Sequence, residues 1–199
     1  MIKVVLFDLG GVLVKLSPLS KIFGSAIAGR EHDFWGIWLH SETVRRFETG
    51  CSTLEEFIAD IQKELDLPYS ETELMQRHRN FVEGMYAGAY DLLEQLRNNY
   101  VLASLSNNNP VHWPIMMDDY DLADRFDHHF PSHQTGLIKP DSVAYENVIN
   151  TLGVAANEIF FIDDNIINVD AAKVLGISAH VTKGIDELTD LLIQQNMVA

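Results

Sequence analysis

Polar and apolar positions along this chain change rhythm twice. Short strand candidates sit at residues 3–7, 100–105, 127–130, 158–162 and 178–181, most of them rich in Val, Leu, Ile and Phe. Apolar runs this short fit strands buried on both faces of a parallel sheet. Between the later ones the apolar residues recur at helical spacing. Pro140-Asp141 opens a helix that should run to Leu152 and stop at Gly153, and a second should run from about Ile167 to Leu175 and stop at Gly176. Alternating strand and helix predicts a doubly wound α/β fold, a parallel sheet with helices on both faces.

The long interval between the first two strands breaks this alternation. From Ser17 to Asn98 the pattern reads as helical throughout, with candidate capping boxes at Ser52/Glu55 and Ser70/Glu73. A crossover between neighbouring parallel strands needs only one helix. The surplus predicts an inserted helical cap over residues 17–87, with the α/β core formed by residues 1–16 and 88–199. A cap beside the end of the first strand would close over Asp8 and exclude water.

A chain of 199 residues suits one domain, or a core with a smaller insertion. Its 29 acidic against 14 basic side chains, a net charge of −15, argue against a nucleic-acid surface and against docking to an anionic bilayer. No run of residues suits a membrane span, and the short first apolar run, interrupted by Asp8, does not resemble a signal peptide. Cys51 is the sole cysteine, which excludes an intramolecular disulfide and fits a reducing cytoplasm. Neither a phosphate loop followed by Lys-Ser/Thr nor a GxGxxG is present.

The strand ends carry the candidate chemistry. The run VVLF is followed by Asp8, Leu9 and the pair Gly10-Gly11. A lone charge there is costly to bury without a partner, and ligands of open α/β sheets bind beyond the carboxyl ends of strands. The second strand runs into Ser106-Asn107, a hydroxyl and an amide able to donate to a phosphate oxygen. Lys139-Pro140 precedes a helix start, and Asp163-Asp164 follows four apolar residues. Two adjacent carboxylates repel unless a proton or cation lies between them, and magnesium characteristically joins carboxylates to phosphate oxygens. Singly, each feature also reads as turn or helix-cap chemistry. Four of them at successive strand ends point to one site.

FDLGGVL, LSN, the lysine of IKPD, and FFIDDN together resemble the motifs of the haloacid dehalogenase superfamily of hydrolases, most of which are magnesium-dependent phosphatases. The likeness spans the chain and includes a helical insertion where that family carries its cap. It implies a Rossmann-like core with Asp8 as the nucleophile that forms an aspartyl-phosphate. It implies that Ser106, Asn107 and Lys139 hold the phosphoryl oxygens. Asp8, Asp164 and the main-chain carbonyl of Gly10 would ligate Mg2+, with Asp163 as a further carboxylate. FETG at residues 47–50, LSNNNPVHWP and FFIDDNIINVDAA are similar to a bacterial subgroup acting on hexose phosphates, including α-glucose 1-phosphate. The expected partner is a small phosphorylated metabolite, and the chain would act as a cytoplasmic monomer or weak homodimer.

One position departs from the pattern. Most phosphatases of the family carry a second aspartate two residues after the nucleophile, as general acid and base, and here that position is Gly10. Such help is typically worth about 10²–10⁴-fold. A phosphatase, a non-catalytic phosphate-binding protein and a 2-haloacid dehalogenase are therefore all to be weighed. Dehalogenation needs no leaving-group acid, but the metal-free dehalogenases have no use for Asp163-Asp164. His112 is a candidate substitute proton donor, and Arg46 with Arg45 could reach a phosphate or sugar hydroxyls. Phe34, Trp35 and Trp38 could stack on a sugar ring or simply form cap core. His128, His129 and His133 do not fit a zinc spacing and read as structural or surface histidines.

Overall fold

Val4–Phe7 forms strand β1, and all of its side chains are buried. Strands that lie in the middle of a covered sheet have no solvent face, so each residue can be apolar. In the computed structural model, which describes residues 1–27, 36 and 38–198, β1 does occupy that position. Two short strands follow it, β2 (Val14–Leu16) and β3 (Val82–Met85). Next come β4 (Val101–Ser106), β5 (His128–Pro131), β6 (Ile159–Asp163) and β7 (Ser178–Val181). The main sheet has the order β5-β4-β1-β6-β7, and every pair in it is parallel.

The chain thus steps outward from β1 through β4 to β5, then crosses back to β6 and β7. That reversal leaves a crevice beyond the carboxyl end of β1, the usual ligand position of a doubly wound sheet. Alternation along β1 splits the core in two. Val5 and Phe7 pack with Leu92 and Leu96 of the helix Ala89–Arg97 and with Leu188 and Leu192 of the helix Gly184–Gln194. Val4 and Leu6 pack on the opposite face with Tyr145 of the helix Ser142–Leu152 and Val169 of the helix Ile166–Val174. Each such side chain contributes about 1.5–3 kcal/mol by leaving water. Both late helices begin and end close to the expected residues. Gly153 takes a left-handed φ of 64° after the first, and the Asn165 side chain caps the second by accepting the Ile167 N–H.

Among the described residues of 17–87, the helical expectation fails at Val82–Met85. The helices Leu19–Phe23, Glu42–Glu48, Leu54–Glu64 and Glu71–Arg79 enclose an apolar cluster of their own, in which Phe47 stacks on Phe57 at 4.3 Å. Val82–Met85, however, is a strand, paired antiparallel with β2. Neither short strand is visible as a periodic pattern, because each is stabilised by a partner far away in the chain. The capping box also lies one residue later than expected, at Thr53 and Glu56. At Ser70 only half of the box forms: its hydroxyl accepts from the Glu73 N–H, while the Glu73 carboxylate pairs with Arg77. Among the described residues no helix is long and apolar enough to cross a membrane.

Candidate active site

The carboxyl end of β1 delivers Asp8 into the crevice, and its N–H continues the parallel ladder by donating to the Ile162 carbonyl. Lys139 arrives from the loop after β5 with its Nζ 3.0 Å from Asp8 Oδ1 and 2.6 Å from Asp163 Oδ2. Its side chain is almost wholly buried. Burial works against its charge, but Asp163 and Asp8 outweigh it and hold its pKa above the ordinary lysine value. Asp163, at the end of β6, is fully occupied. Oδ1 accepts from the Asn165 N–H and from Asn168 Nδ2, and Oδ2 accepts from Lys139 and Asn168. Its geometry suits holding Lys139.

Asp8, Asp163 and Asp164 each offer a carboxylate oxygen within 4.8 Å of the others. The repulsion within this grouping falls on Asp8 and Asp164. Burial pushes Asp8 up to about 7, Lys139 pulls it down, and Asp163 and Asp164 push it up again. Asp164 is raised to about 6 by burial and by Asp163, against Lys139 and Lys183. Three acidic groups around one buried cation leave an excess of negative charge, and a hard divalent cation with oxygen ligands would neutralise it. Gly11 permits the arrangement: its φ is 72°, and a Cβ there would fall 2.5 Å from Asp164 Oδ2.

The end of β4 adds Ser106 and Asn107. The Ser106 hydroxyl accepts weakly from Asn108 Nδ2 at 3.4 Å, which leaves its own proton to donate. Asn107 is more committed than its sequence position suggests. Its Oδ1 accepts the Lys139 N–H and its Nδ2 donates to the Lys139 carbonyl, both at 2.9 Å. One amide hydrogen remains for a ligand, so the side chain first of all fixes the lysine backbone. A cavity of about 550 Å³ opens above Asp8, Gly10, Ser106, Asn107, Lys139 and Asp164.

A family model for haloacid dehalogenase-like hydrolases matches residues 2–176. The chain belongs to that family. Among curated proteins it is 28% identical over 191 residues to a sesquiterpene phosphatase of Aspergillus oryzae, covering 95% of this chain and 94% of the relative. It is 26% identical over 188 residues to a D-ribitol-5-phosphate phosphatase of Bacteroides thetaiotaomicron, covering 88% and 89%. A solved haloacid dehalogenase family enzyme of Bacteroides thetaiotaomicron, in complex with magnesium and inorganic phosphate, superimposes with a TM-score of 0.78 at 27% identity, covering 96% and 99%. An L-2-haloacid dehalogenase of Xanthobacter autotrophicus shares the fold at a TM-score of 0.66 and 23% identity, covering 100% and 85%.

Within this hydrolase fold the remaining candidates separate. Arg46 is half-exposed, lies 3.8 Å from Asp60 Oδ2 and is not among the residues that line the cavity. Arg45 pairs with Asp141 instead, tying the helix Glu42–Glu48 to the start of the helix Ser142–Leu152. His112 does line the cavity, but both ring nitrogens are engaged. Nε2 lies 2.7 Å from the His78 carbonyl, where it must carry the hydrogen, and Nδ1 lies 3.0 Å from Asn109 Nδ2. Burial lowers its pKa to about 4. A neutral imidazole whose N–H is held by a carbonyl is a poor proton donor at pH 7. Trp38 lines the cavity, whereas Phe34 and Trp35 lie outside the described residues. His129 bonds to Ser104 and to the Ala123 carbonyl, a structural role.

Two residues that sequence reasoning passed over stand out. Asn168 holds both oxygens of Asp163 from inside the helix Ile166–Val174. Glu48 lines the cavity from the end of its helix. A carboxylate in the last turn of a helix opposes the helix dipole, and that misplacement was the signal available in the sequence.

The buried pair His78 and His112, with rings 4.4 Å apart, makes the fold acid-sensitive. Burial holds both below the ordinary histidine value of 6.5. Between pH 6.5 and about 4 the unfolded chain takes up protons that the folded chain refuses, so stability falls as pH falls through that window. For His112 the full loss is about 3 kcal/mol. Urea unfolding at pH 7 and pH 4 should show this drop, and His112→Gln should shrink it; an unchanged drop would remove the pair as its cause.

Proposed function

We propose that this hydrolase is a magnesium-dependent phosphatase that cleaves a small phosphomonoester through an aspartyl-phosphate on Asp8. The observation that carries the reading is the Asp8–Lys139–Asp163 chain with Asp164 beside it, at the switch point of the sheet. It is supported by the phosphatase names of the relatives and by the magnesium and phosphate bound in the superimposable enzyme. The donor set fits the metal: Asp8, Asp164 and the Gly10 carbonyl would hold it, all hard oxygen ligands. Held there, magnesium would supply positive charge to offset that of the carboxylates and the phosphoryl group. Asp8, with the Lys139 ammonium 3.0 Å away, attacks phosphorus. Lys139, steadied by Asp163 and Asn107, balances charge on the transferring group, and the Ser106 hydroxyl donates to an equatorial oxygen. Residues 17–87 act as the cap that shuts water out during the transfer.

A 2-haloacid dehalogenase is disfavoured by the same cluster, because without a metal a carboxylate substrate would meet the excess negative charge of Asp8, Asp163 and Asp164. A mere phosphate-binding protein would have no use for a nucleophile held against a buried lysine. For the organic group, the sequence motifs favour a sugar phosphate. A second reading rests on the described walls above the phosphate end, where Leu16, Ile22, Phe23, Phe81, Met116 and Ile166 line the cavity. Such walls suit an alcohol with an apolar body, as does the likeness to a sesquiterpene phosphatase. Phosphate release from hexose phosphates and from prenyl phosphates, each with magnesium, ranks the two readings by kcat/KM.

Metal dependence tests the site itself. A chelator should abolish phosphate release and added magnesium restore it, while Asp164→Ala should need far more magnesium for half-activation. Full activity in the presence of chelator contradicts the assignment.

A further inference from the structure

Gly10 leaves the leaving group without its usual acid, and Leu16 crowds the place a side chain would take. A Cβ on residue 10 would stand 3.2 Å from Leu16 Cδ1, so Leu16 fills that corner of the cavity. We propose that Glu48, reaching into the same cavity from the helical segment, is the general acid and base of this enzyme. The inference rests on the phosphatase reading above.

Position is the first argument. In an in-line displacement the leaving oxygen departs opposite the attacking carboxylate. With Asp8 at the strand end, the side open to a leaving group is the cavity, where Glu48 lies close enough to Lys139 to feel its charge. Glu48 and Asp8 line one cavity. Its backbone is tied down to the catalytic loops: the Ser132 hydroxyl donates to the Glu48 carbonyl and accepts the Asn108 N–H, two residues beyond Ser106. Arg45, on the same helix, is paired to Asp141, two residues after Lys139. A cap residue so anchored keeps its relation to the strand ends.

Chemistry is the second. Burial pushes the Glu48 carboxyl up to about 7, while the Trp38 indole N–H that it accepts and the charge of Lys139 counter this only in part. The ionisable groups lining the cavity around it are Asp8, Lys139, Asp164 and Lys183 at the strand ends and the two neutral imidazoles of His78 and His112. A carboxyl that titrates near neutrality is suited to giving a proton and taking it back. Neither histidine competes, since burial keeps both uncharged.

The steps balance. As Asp8 Oδ bonds to phosphorus and the phosphorus–oxygen ester bond breaks, Glu48 gives its proton to the departing oxygen and an alcohol leaves. Water then takes the vacated side and Glu48 carboxylate accepts its proton. The new oxygen–phosphorus bond forms, the Asp8–phosphorus bond breaks, and inorganic phosphate leaves with Glu48 reprotonated.

Glu48→Gln keeps the shape and the Trp38 contact but cannot donate an acidic proton. With saturating magnesium, kcat should fall about 10²–10⁴-fold on an alkyl phosphate. On p-nitrophenyl phosphate, whose phenolate leaves unprotonated, single-turnover formation of the aspartyl-phosphate should be nearly unchanged. Equal losses in that step for both substrates, or no loss on the alkyl ester, overturn the inference. The wild-type protein gives an independent reading: across a series of phosphomonoesters the rate of that step should depend weakly on the leaving alcohol's acidity, and a steep dependence overturns it. If the wild type releases phosphate from none of them, the phosphatase reading fails and this inference falls with it.

Discussion

Asp8→Asn folds and turns over no substrate. An amide at the end of β1 occupies the same space but offers no nucleophilic oxygen, and loss of a covalent nucleophile costs at least about 10⁴-fold. The variant should not be less stable for it. Burial and the neighbouring carboxylates hold Asp8 up to about 7, so the folded state disfavours its charge. Sign matters here: a carboxyl raised in the folded state withdraws stability as pH climbs from 3.8 toward 7. In magnesium-free buffer at pH 8, Asp8→Asn should therefore melt at the same temperature as wild type or higher, with Lys139 still paired to Asp163. Phosphate release near the wild-type rate would contradict the role given to Asp8.

Lys139→Met loses both activity and stability, for separate reasons. Lys139 is only 3% exposed, and Asp163 is fully buried, so methionine leaves an ionised carboxylate with Asn168 and one backbone N–H as partners. Breaking a buried pair from one side costs about 3–5 kcal/mol. Positive charge beside a transferring phosphoryl group is worth about 10³–10⁵ in rate. The two losses can be parted with Asp163→Asn. Combining Lys139→Met with Asp163→Asn should recover most of the stability, because the stranded charge is gone, and none of the activity. Denaturant unfolding and phosphate release on the four proteins of that cycle measure it. Additive stability losses would mean that Lys139 and Asp163 do not act as a pair.

Much of this site was legible because a parallel sheet converts chain order into position. Asp8, Ser106 and Asp163 each follow a buried apolar run, so finding the runs places their ends together. Lys139 was legible as the residue ahead of a helix start. What escaped depends on contacts between distant parts of the chain. β2 and β3 are short strands that exist only through each other. Ser52 and Thr53 are both good cap residues with a glutamate three positions on, and only packing chose Thr53. Asn107 reads as a phosphate ligand, yet its amide spends most of its capacity on Lys139, which no spacing announces. Glu48 sits inside the FETG motif, but its meaning comes from the cavity above Asp8, which only the folded chain creates.

The covalent intermediate tests the central claim most directly. Wild-type protein with magnesium, mixed with a phosphomonoester labelled in its phosphate and quenched in acid during turnover, should carry the label on the peptide that contains Asp8. The label should be stable to acid and released by hydroxylamine, as an acyl phosphate requires. Turnover without any labelled protein, or label on a different peptide, would contradict the mechanism.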